Sequence, residues 1–260
     1  MRINIELFEF PTKEEMLTLI TESPLYNFKI EDLVFHKKNL NFDDYLSYII
    51  STREMLGLYK NRISQLNLSY AYVLYYLNRG IPDAEWSRVS SNGSIEYFPH
   101  FKDAHWTNKI HFEHHTDALF QRAFTTLDIL GHLLFNFFDL KHEKYNDGRL
   151  KDITFNTVLR DLKNQRKDIK LNRKLCKIKY RNSFQQASRI RNNIIHNKPP
   201  YRIYNYDDTH DGMITSRIDY TPSKELKENM YNLLKSIKEI TQIIIKHIEK
   251  KSKSKEIIIS

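Results

Sequence analysis

Arg191-Asn192-Asn193-Ile194-Ile195-His196 runs straight into Asn197-Lys198-Pro199-Pro200. Two prolines cannot continue a helix, so the residues before them are predicted to form a helix over Ser183–His196 that stops at Pro199. At 100° per residue, Phe184, Ala187, Ile190, Ile194 and Ile195 fill an apolar arc of roughly 140°, the stripe of a helix facing a core. Arg191 falls inside that arc, where a guanidinium seldom sits unless an anion answers it. Asn192 and His196 lie one turn apart at the edge of the stripe, with Arg189 beside them. An arginine, an amide and a histidine at one helix end can grip a phosphodiester and move a proton, because imidazole titrates nearer neutral pH than other side chains.

Outward from this helix, the apolar periods remain helical. Thr221-Pro222-Ser223 opens a final helix to about Lys250, with Leu226, Met230, Leu233, Ile237, Ile240, Ile244 and Ile248 inward. A second long helix spans about Thr107–Leu140, apolar on most sides in its C-terminal half, and a short one spans Thr154–Asn164. Phe42–Asn78 carries a near three-four repeat, read as one helix or as two broken near Gly57, and Gly80-Ile81-Pro82 ends it. Thr12 and Glu15 form a capping box for an early helix that ends near Ser23-Pro24, and residues 2–10 read as a short strand or extended arm. Between Trp86–Val89 and Ile95–Phe98, Ser91-Asn92-Gly93-Ser94 signals a small hairpin. Residues 201–220 read as a long loop, and Lys251–Ser260 as a frayed tail.

The expected fold class is therefore all-α: an up-down helical bundle over residues 105–260, a packed connector over 81–104 and an N-terminal helical extension over 1–80. With 40% hydrophobic and 13% aromatic residues the chain is no disordered polymer, and at 260 residues it has ample material for a core. Only 6 Gly are present, without a GxGxxG or GxxxxGK[ST] pattern, which excludes the usual phosphate-cradling loops. The single cysteine, Cys176, excludes an internal disulfide framework and points to a reducing, cytoplasmic setting. No charged-then-apolar leader opens the chain, and Leu127–Phe138, broken by His132 and Asn136, falls short of the roughly 20 residues of a membrane span.

Net charge is +9, with a pI near 9.3, which favours a polyanionic partner. The excess is concentrated: Arg149–Lys198 holds fifteen Lys or Arg against three Asp and no Glu. This block leads into the arginine–histidine helix, which ranks nucleic acid ahead of an ordinary solvated face.

Arg191, Asn192, three further residues and His196 resemble the signature of the HEPN superfamily, whose motif is arginine, a polar residue (often asparagine), a short spacer and histidine. The resemblance implies a helical bundle with this motif on its third helix, covering the chain from about residue 107 to 250. Similar proteins include metal-independent ribonucleases of toxin–antitoxin and antiphage systems, while others have lost the motif and bind or scaffold. The implied function is endoribonuclease activity without a cofactor, with RNA as substrate. Two protomers would join their motifs in one cleft, and an antitoxin or other defence partner is implied as well. Arg191, His196 and Asn192 would be catalytic; Arg189, Lys198, Arg202, Tyr201 and Tyr204 would contact nucleic acid. The alternative the family offers is a non-catalytic binding module, paired with a nucleotidyltransferase or another defence protein.

Rival chemistry is weaker. His111, His114 and His115 share a helical face near His105 and Asp117, but no ordered zinc motif is present, so helix-end histidines or a basic groove lining explain them better. Asp207-Asp208-Thr209-His210-Asp211-Gly212 lacks the downstream glutamate of a calcium loop and reads as a turn. Cys176, among Lys174, Lys177 and Lys179, has no histidine partner within sequence reach.

Overall fold

Residues 8–30, 41–210 and 213–256 are described by a computed structural model, and helices dominate it. In chain order the elements are α1 (Lys13–Thr21), α2 (Phe42–Asn78), β1 (Ser87–Val89), β2 (Ile95–Tyr97), α3 (Asp103–Phe137), α4 (Phe155–Asn164), α5 (Ile169–Lys179), α6 (Asn182–Ile195), β3 (Tyr204–His210), β4 (Met213–Asp219) and α7 (Ser223–Glu256). Among the described residues the fold is all-α apart from two antiparallel strand pairs.

Local signals account for most element ends. At α1 the Thr12 hydroxyl accepts from the Glu15 amide at 3.2 Å, while the Glu15 carboxylate accepts from the Thr12 amide at 2.7 Å. α2 runs unbroken through Gly57, whose missing side chain borders open space, and ends at Gly80 with φ +109, the left-handed stop that glycine supplies. The connector hairpin pairs Ser87 with Tyr97 and Val89 with Ile95 around the expected turn. Residues 8–10 form no strand, the rest of that expected arm lies outside the described residues, and α7 continues past Lys250 to Glu256.

Two elements differ from the sequence reading. α5 is an additional helix, so the motif helix is the fourth of five after the connector rather than the third of four. Its Leu171, Leu175 and Ile178 are buried at helical spacing, and the Asp168 carboxylate caps it by accepting from the Leu171 amide at 2.9 Å. Burial would raise the Asp168 pKa, but hydrogen bonds from Lys251, the Leu171 amide and His247 outweigh it and hold the carboxyl below its ordinary value. Residues 204–219 are a hairpin, not a loop: Tyr204 pairs with Asp219 and His210 with Met213. The turn expected at Asp211-Gly212 lies outside the described residues.

The chain folds as two compact units. The first comprises residues 1–26, 67–121 and 185–233, and its described core includes Tyr70, Leu74, Tyr76, Phe112, Phe120, Ile190, Ile194, Met230 and Leu233. The second comprises 27–66, 122–184 and 234–260, with Tyr59, Leu66, Leu127, Leu134, Leu162, Leu175, Ile240 and Ile244 buried. Within the second unit the buried Tyr59 and Thr241 hydroxyls hydrogen-bond at 2.5 Å, and Arg181 grips Glu239 with two parallel bonds of 2.5 and 2.8 Å. Among the described residues no helix is long and apolar enough to cross a membrane.

Close backbone packing in the second unit makes Gly131 a sensitive position. A Cβ there would meet Phe155 N at 2.9 Å and Thr154 C at 3.0 Å, where the Phe155 amide donates to Asp128 Oδ1 at 2.9 Å. Alanine normally stabilises a helix interior by up to about 1 kcal/mol relative to glycine. Here backbone cannot swing aside, so Gly131→Ala is expected to destabilise by about 1–3 kcal/mol in urea unfolding. A gain in stability would show that α4 shifts freely.

Candidate active site

α6 buries Phe184, Ala187, Ile190 and Ile194, as the stripe requires, but Ile195 is 43% exposed. The reason is its place in the last helical residue, beyond which the chain turns away. The helix closes in a Schellman motif. Asn197 adopts φ +58, its amide donates to the Ile194 carbonyl at 3.2 Å, and the Lys198 amide donates to the Asn193 carbonyl at 2.8 Å. Asparagine tolerates this left-handed backbone better than most residues, so Asn197 fixes the histidine before it. His196 is the residue that caps the helix, its amide donating to the Asn192 carbonyl at 3.0 Å. Asn197 is a positioning residue that the motif spacing alone did not pick out.

Arg191 is half-buried, Asn192 and His196 are exposed, and Arg191 Nη1 donates to Asn192 Oδ1 at 3.2 Å. Arginine and amide are thereby brought into direct contact. The imidazole of His196 follows one turn later on solvent, with no side-chain hydrogen bond among the described residues. Arg189 and Lys198 are exposed cations near them in sequence, and Arg202 is exposed but lies in the field of Glu113 and Asp117.

Downstream of His196 the chain is anchored within the first unit. Pro199 is buried and Tyr201 is only 5% exposed. Its hydroxyl donates to Asp117 Oδ1 at 2.6 Å, and its carbonyl accepts from Lys109 Nζ at 3.1 Å. Lys109, itself buried, ion-pairs with Glu113 and lies 5.2 Å from the Tyr220 ring centre and 5.8 Å from that of Tyr201. Tyr201 therefore offers no free ring face to a base; it covers the bundle end, the other role an aromatic in this position can play. Tyr204, half-exposed, donates from its hydroxyl to the Asn197 carbonyl at 3.4 Å and so braces the helix end. Burial raises the Glu113 carboxyl above its ordinary pKa against the pull of Lys109, and raises Asp117 against its bond from Tyr201.

The hairpin that follows is closed at its base. The Thr221 amide donates to the Pro200 carbonyl at 2.8 Å. Asp83, 1% exposed, accepts on Oδ2 from the Tyr220 hydroxyl at 2.6 Å, the Ser223 amide at 2.9 Å and the Ser223 hydroxyl at 2.7 Å. Its carboxylate thus sits at the start of α7, where helix amides and dipole favour an anion.

The histidines of α3 have other partners. His111 stacks on Tyr76 at 4.6 Å with Phe8 edge-on at 4.8 Å, and His115 stacks on Tyr72 at 4.4 Å. Desolvation, then the nearby His114, lower the His111 pKa, which favours its neutral ring. Among the described residues no cluster of three or more His, Cys, Asp or Glu is arranged to hold a metal ion.

These elements define an all-α fold, with arginine, asparagine and histidine gathered at the end of α6. The family model for Cthe2314-like HEPN matches residues 56–249, and the chain belongs to that family. This places it among nuclease-like or nucleotide-binding modules. The matched region starts inside α2 and ends inside α7, taking in the connector hairpin as well as α3 to α6. No significant match exists among curated proteins or solved structures.

Proposed function

We propose that the protein is a metal-independent endoribonuclease whose catalytic groups are Arg191, Asn192 and His196. The observation that carries this reading is the contact of Arg191 with Asn192, one helical turn before an exposed His196 at a capped helix end. The RNA 2′-hydroxyl attacks the adjacent phosphorus, and the bond to the 5′-oxygen breaks, leaving a 2′,3′-cyclic phosphate and a 5′-hydroxyl. His196 accepts the 2′-hydroxyl proton or protonates the leaving oxygen. Arg191 binds the non-bridging oxygens and stabilises the charge that grows on them, and Asn192 orients the arginine fork. Arg189 and Lys198 add phosphate contacts.

The working form is a homodimer in which a second copy brings an equivalent motif. Ile195, exposed between Asn192 and His196 in sequence, supports this reading as apolar surface that such a contact would cover. A cytoplasmic role as a toxin or antiphage effector, held in check by an antitoxin or other partner, fits the same chemistry.

The test is cleavage of labelled structured and unstructured RNAs by purified protein in EDTA, with end analysis and a measurement of molecular mass. EDTA-resistant cutting to cyclic-phosphate ends is the expected result. A folded dimer that binds RNA but never cuts it would instead make the chain a non-catalytic binding module.

A further inference from the structure

α4, α5 and the turn between them enclose a cleft of about 780 Å³ within the second unit. Six cations line it: Arg160, Lys163, Arg166, Arg173, Lys177 and Lys179. No carboxylate is among the lining residues. Arg160 is already answered by Glu143 at 2.7 Å, and Lys177 feels Glu239, whereas Lys163, Arg166 and Arg173 make no ion pair among the described residues. Keeping such a set together without counter-charge costs self-repulsion, and an anion with several spaced charges relieves it.

The rest of the cleft is not phosphate chemistry. Tyr180, at its end, is 68% exposed, a large ring left on the surface with Lys179 Nζ 5.6 Å from its centre. Ile169 is 40% exposed on the same lining, and the backbone at Arg166 takes φ +51, which turns the chain sharply between the two helices. A row of cations with an exposed aromatic at one end and an apolar floor suits a strand whose phosphates are regularly spaced and whose bases are unpaired. A membrane surface or an acidic protein would use the charges but not the stacking ring.

We infer that the α4–α5 cleft is a binding groove for single-stranded nucleic acid, with Lys163, Arg166 and Arg173 on phosphates and Tyr180 stacked on a base. The groove acts by itself, whether or not α6 cuts the strand, and it gives the basic block of the sequence a definite place.

Two labelled strands of equal length, oligo(dT) and 2′-O-methyl oligo(U), test it, since neither has the 2′-hydroxyl that cleavage consumes. Fluorescence anisotropy with the full chain is expected to show binding that weakens with salt. The triple variant Lys163→Ala, Arg166→Ala, Arg173→Ala should lose at least tenfold in affinity and flatten the slope of log K against log salt by about 2. Tyr180→Ala should lose roughly tenfold with the slope unchanged, because stacking carries no charge. Cys176 also lines the groove and is the single cysteine, so saturating strand should slow its labelling by a maleimide.

Preference between the two strands tells only whether the sugar is read. Unchanged affinity in the triple variant, or unprotected Cys176 at saturation, overturns the groove. So does equal competition by inorganic polyphosphate together with a silent Tyr180→Ala, which would mark a plain polyanion patch; anionic vesicles that compete while the strands do not would mark a membrane surface. Circular dichroism checks that each variant is folded. Cleavage lost only on changing α6 leaves this result untouched, and a failed groove leaves the cleavage assay to stand by itself.

Discussion

His196→Ala should abolish RNA cleavage, with turnover falling by about 10²–10⁴ for the loss of a general acid or base. The substitution ought to leave the fold alone. The imidazole is exposed and holds no side-chain hydrogen bond among the described residues, and the helix end is fixed by the backbone of Asn197 and Lys198. Arg191→Ala should cost about 10²–10³ through lost charge stabilisation. It also removes a half-buried stem, so its effect on stability must be separated from its effect on catalysis. Arg191→Lys makes that separation: it keeps the stem and the charge but not the planar fork, and should remain folded yet nearly inactive. If the two residues act as one unit, the double variant will be no slower than the worse single one. The measurement is single-turnover cleavage of labelled RNA in EDTA beside far-ultraviolet circular dichroism. Near-normal cutting by folded His196→Ala would remove the histidine from the chemistry.

What the sequence revealed depended on how local each signal was. Thr12–Glu15 and Gly80 act through neighbours a few residues away, and the caps stand where their pattern puts them. The stripes of α2, α3 and α7 are long enough for the helical period to dominate. α5 was hidden because its inward Leu171, Leu175 and Ile178 are interleaved with six Lys, Arg and Asn positions that read as a solvated basic stretch. The hairpin of β3 and β4 carried a usable signal: Asp211-Gly212 are the two residues between the paired His210 and Met213, a favoured hairpin sequence. Polar residues on both flanks masked the strand alternation that normally accompanies it.

At the candidate site, the grouping of Arg191, Asn192 and His196 at one helix end was legible from spacing, and so was Asn197 in principle, as an asparagine one residue past a helix end. Tyr201 was not. A tyrosine after such a motif can stack on a base or close a core, and only Asp117 and Lys109, 84 and 92 residues away in sequence, decide for the core. Ile195 failed in the opposite sense, since an apolar arc drawn on a wheel does not show that the helix ends there.

Asp83 is the most hidden of these long-range partners, 137 residues before Tyr220 and 140 before Ser223, and it carries the largest expected effect on stability. Its sequence context, Ile81-Pro82-Asp83, reads only as a helix stop. Alanine there would leave two hydroxyls and the first amide of α7 without their acceptor in a site that is nearly closed to water, since Asp83 and Ser223 are 1% and 0% exposed. Each buried donor left unmade costs about 1–3 kcal/mol, partly recovered where water enters, so Asp83→Ala should destabilise by about 3–5 kcal/mol. For a chain of this size that lowers Tm by roughly 10 °C. Asp83→Asn keeps an acceptor oxygen but turns an amide toward donors and gives up the charge at the helix start, so it should fall between alanine and the native residue. Tyr220→Phe removes one of the three donors and leaves the other two satisfied, at a cost of about 1 kcal/mol. The order Ala, then Asn, then Phe at position 220 is the discriminating result in thermal and urea unfolding. Because the tyrosine bond acts through the same carboxylate, adding Tyr220→Phe to Asp83→Ala should cost almost nothing more. Fully additive losses would mean that Asp83 and Tyr220 stabilise the first unit through separate contacts, and an Asp83→Ala protein within 1 kcal/mol of the native one would remove the clamp from the account of how the chain after His196 is held.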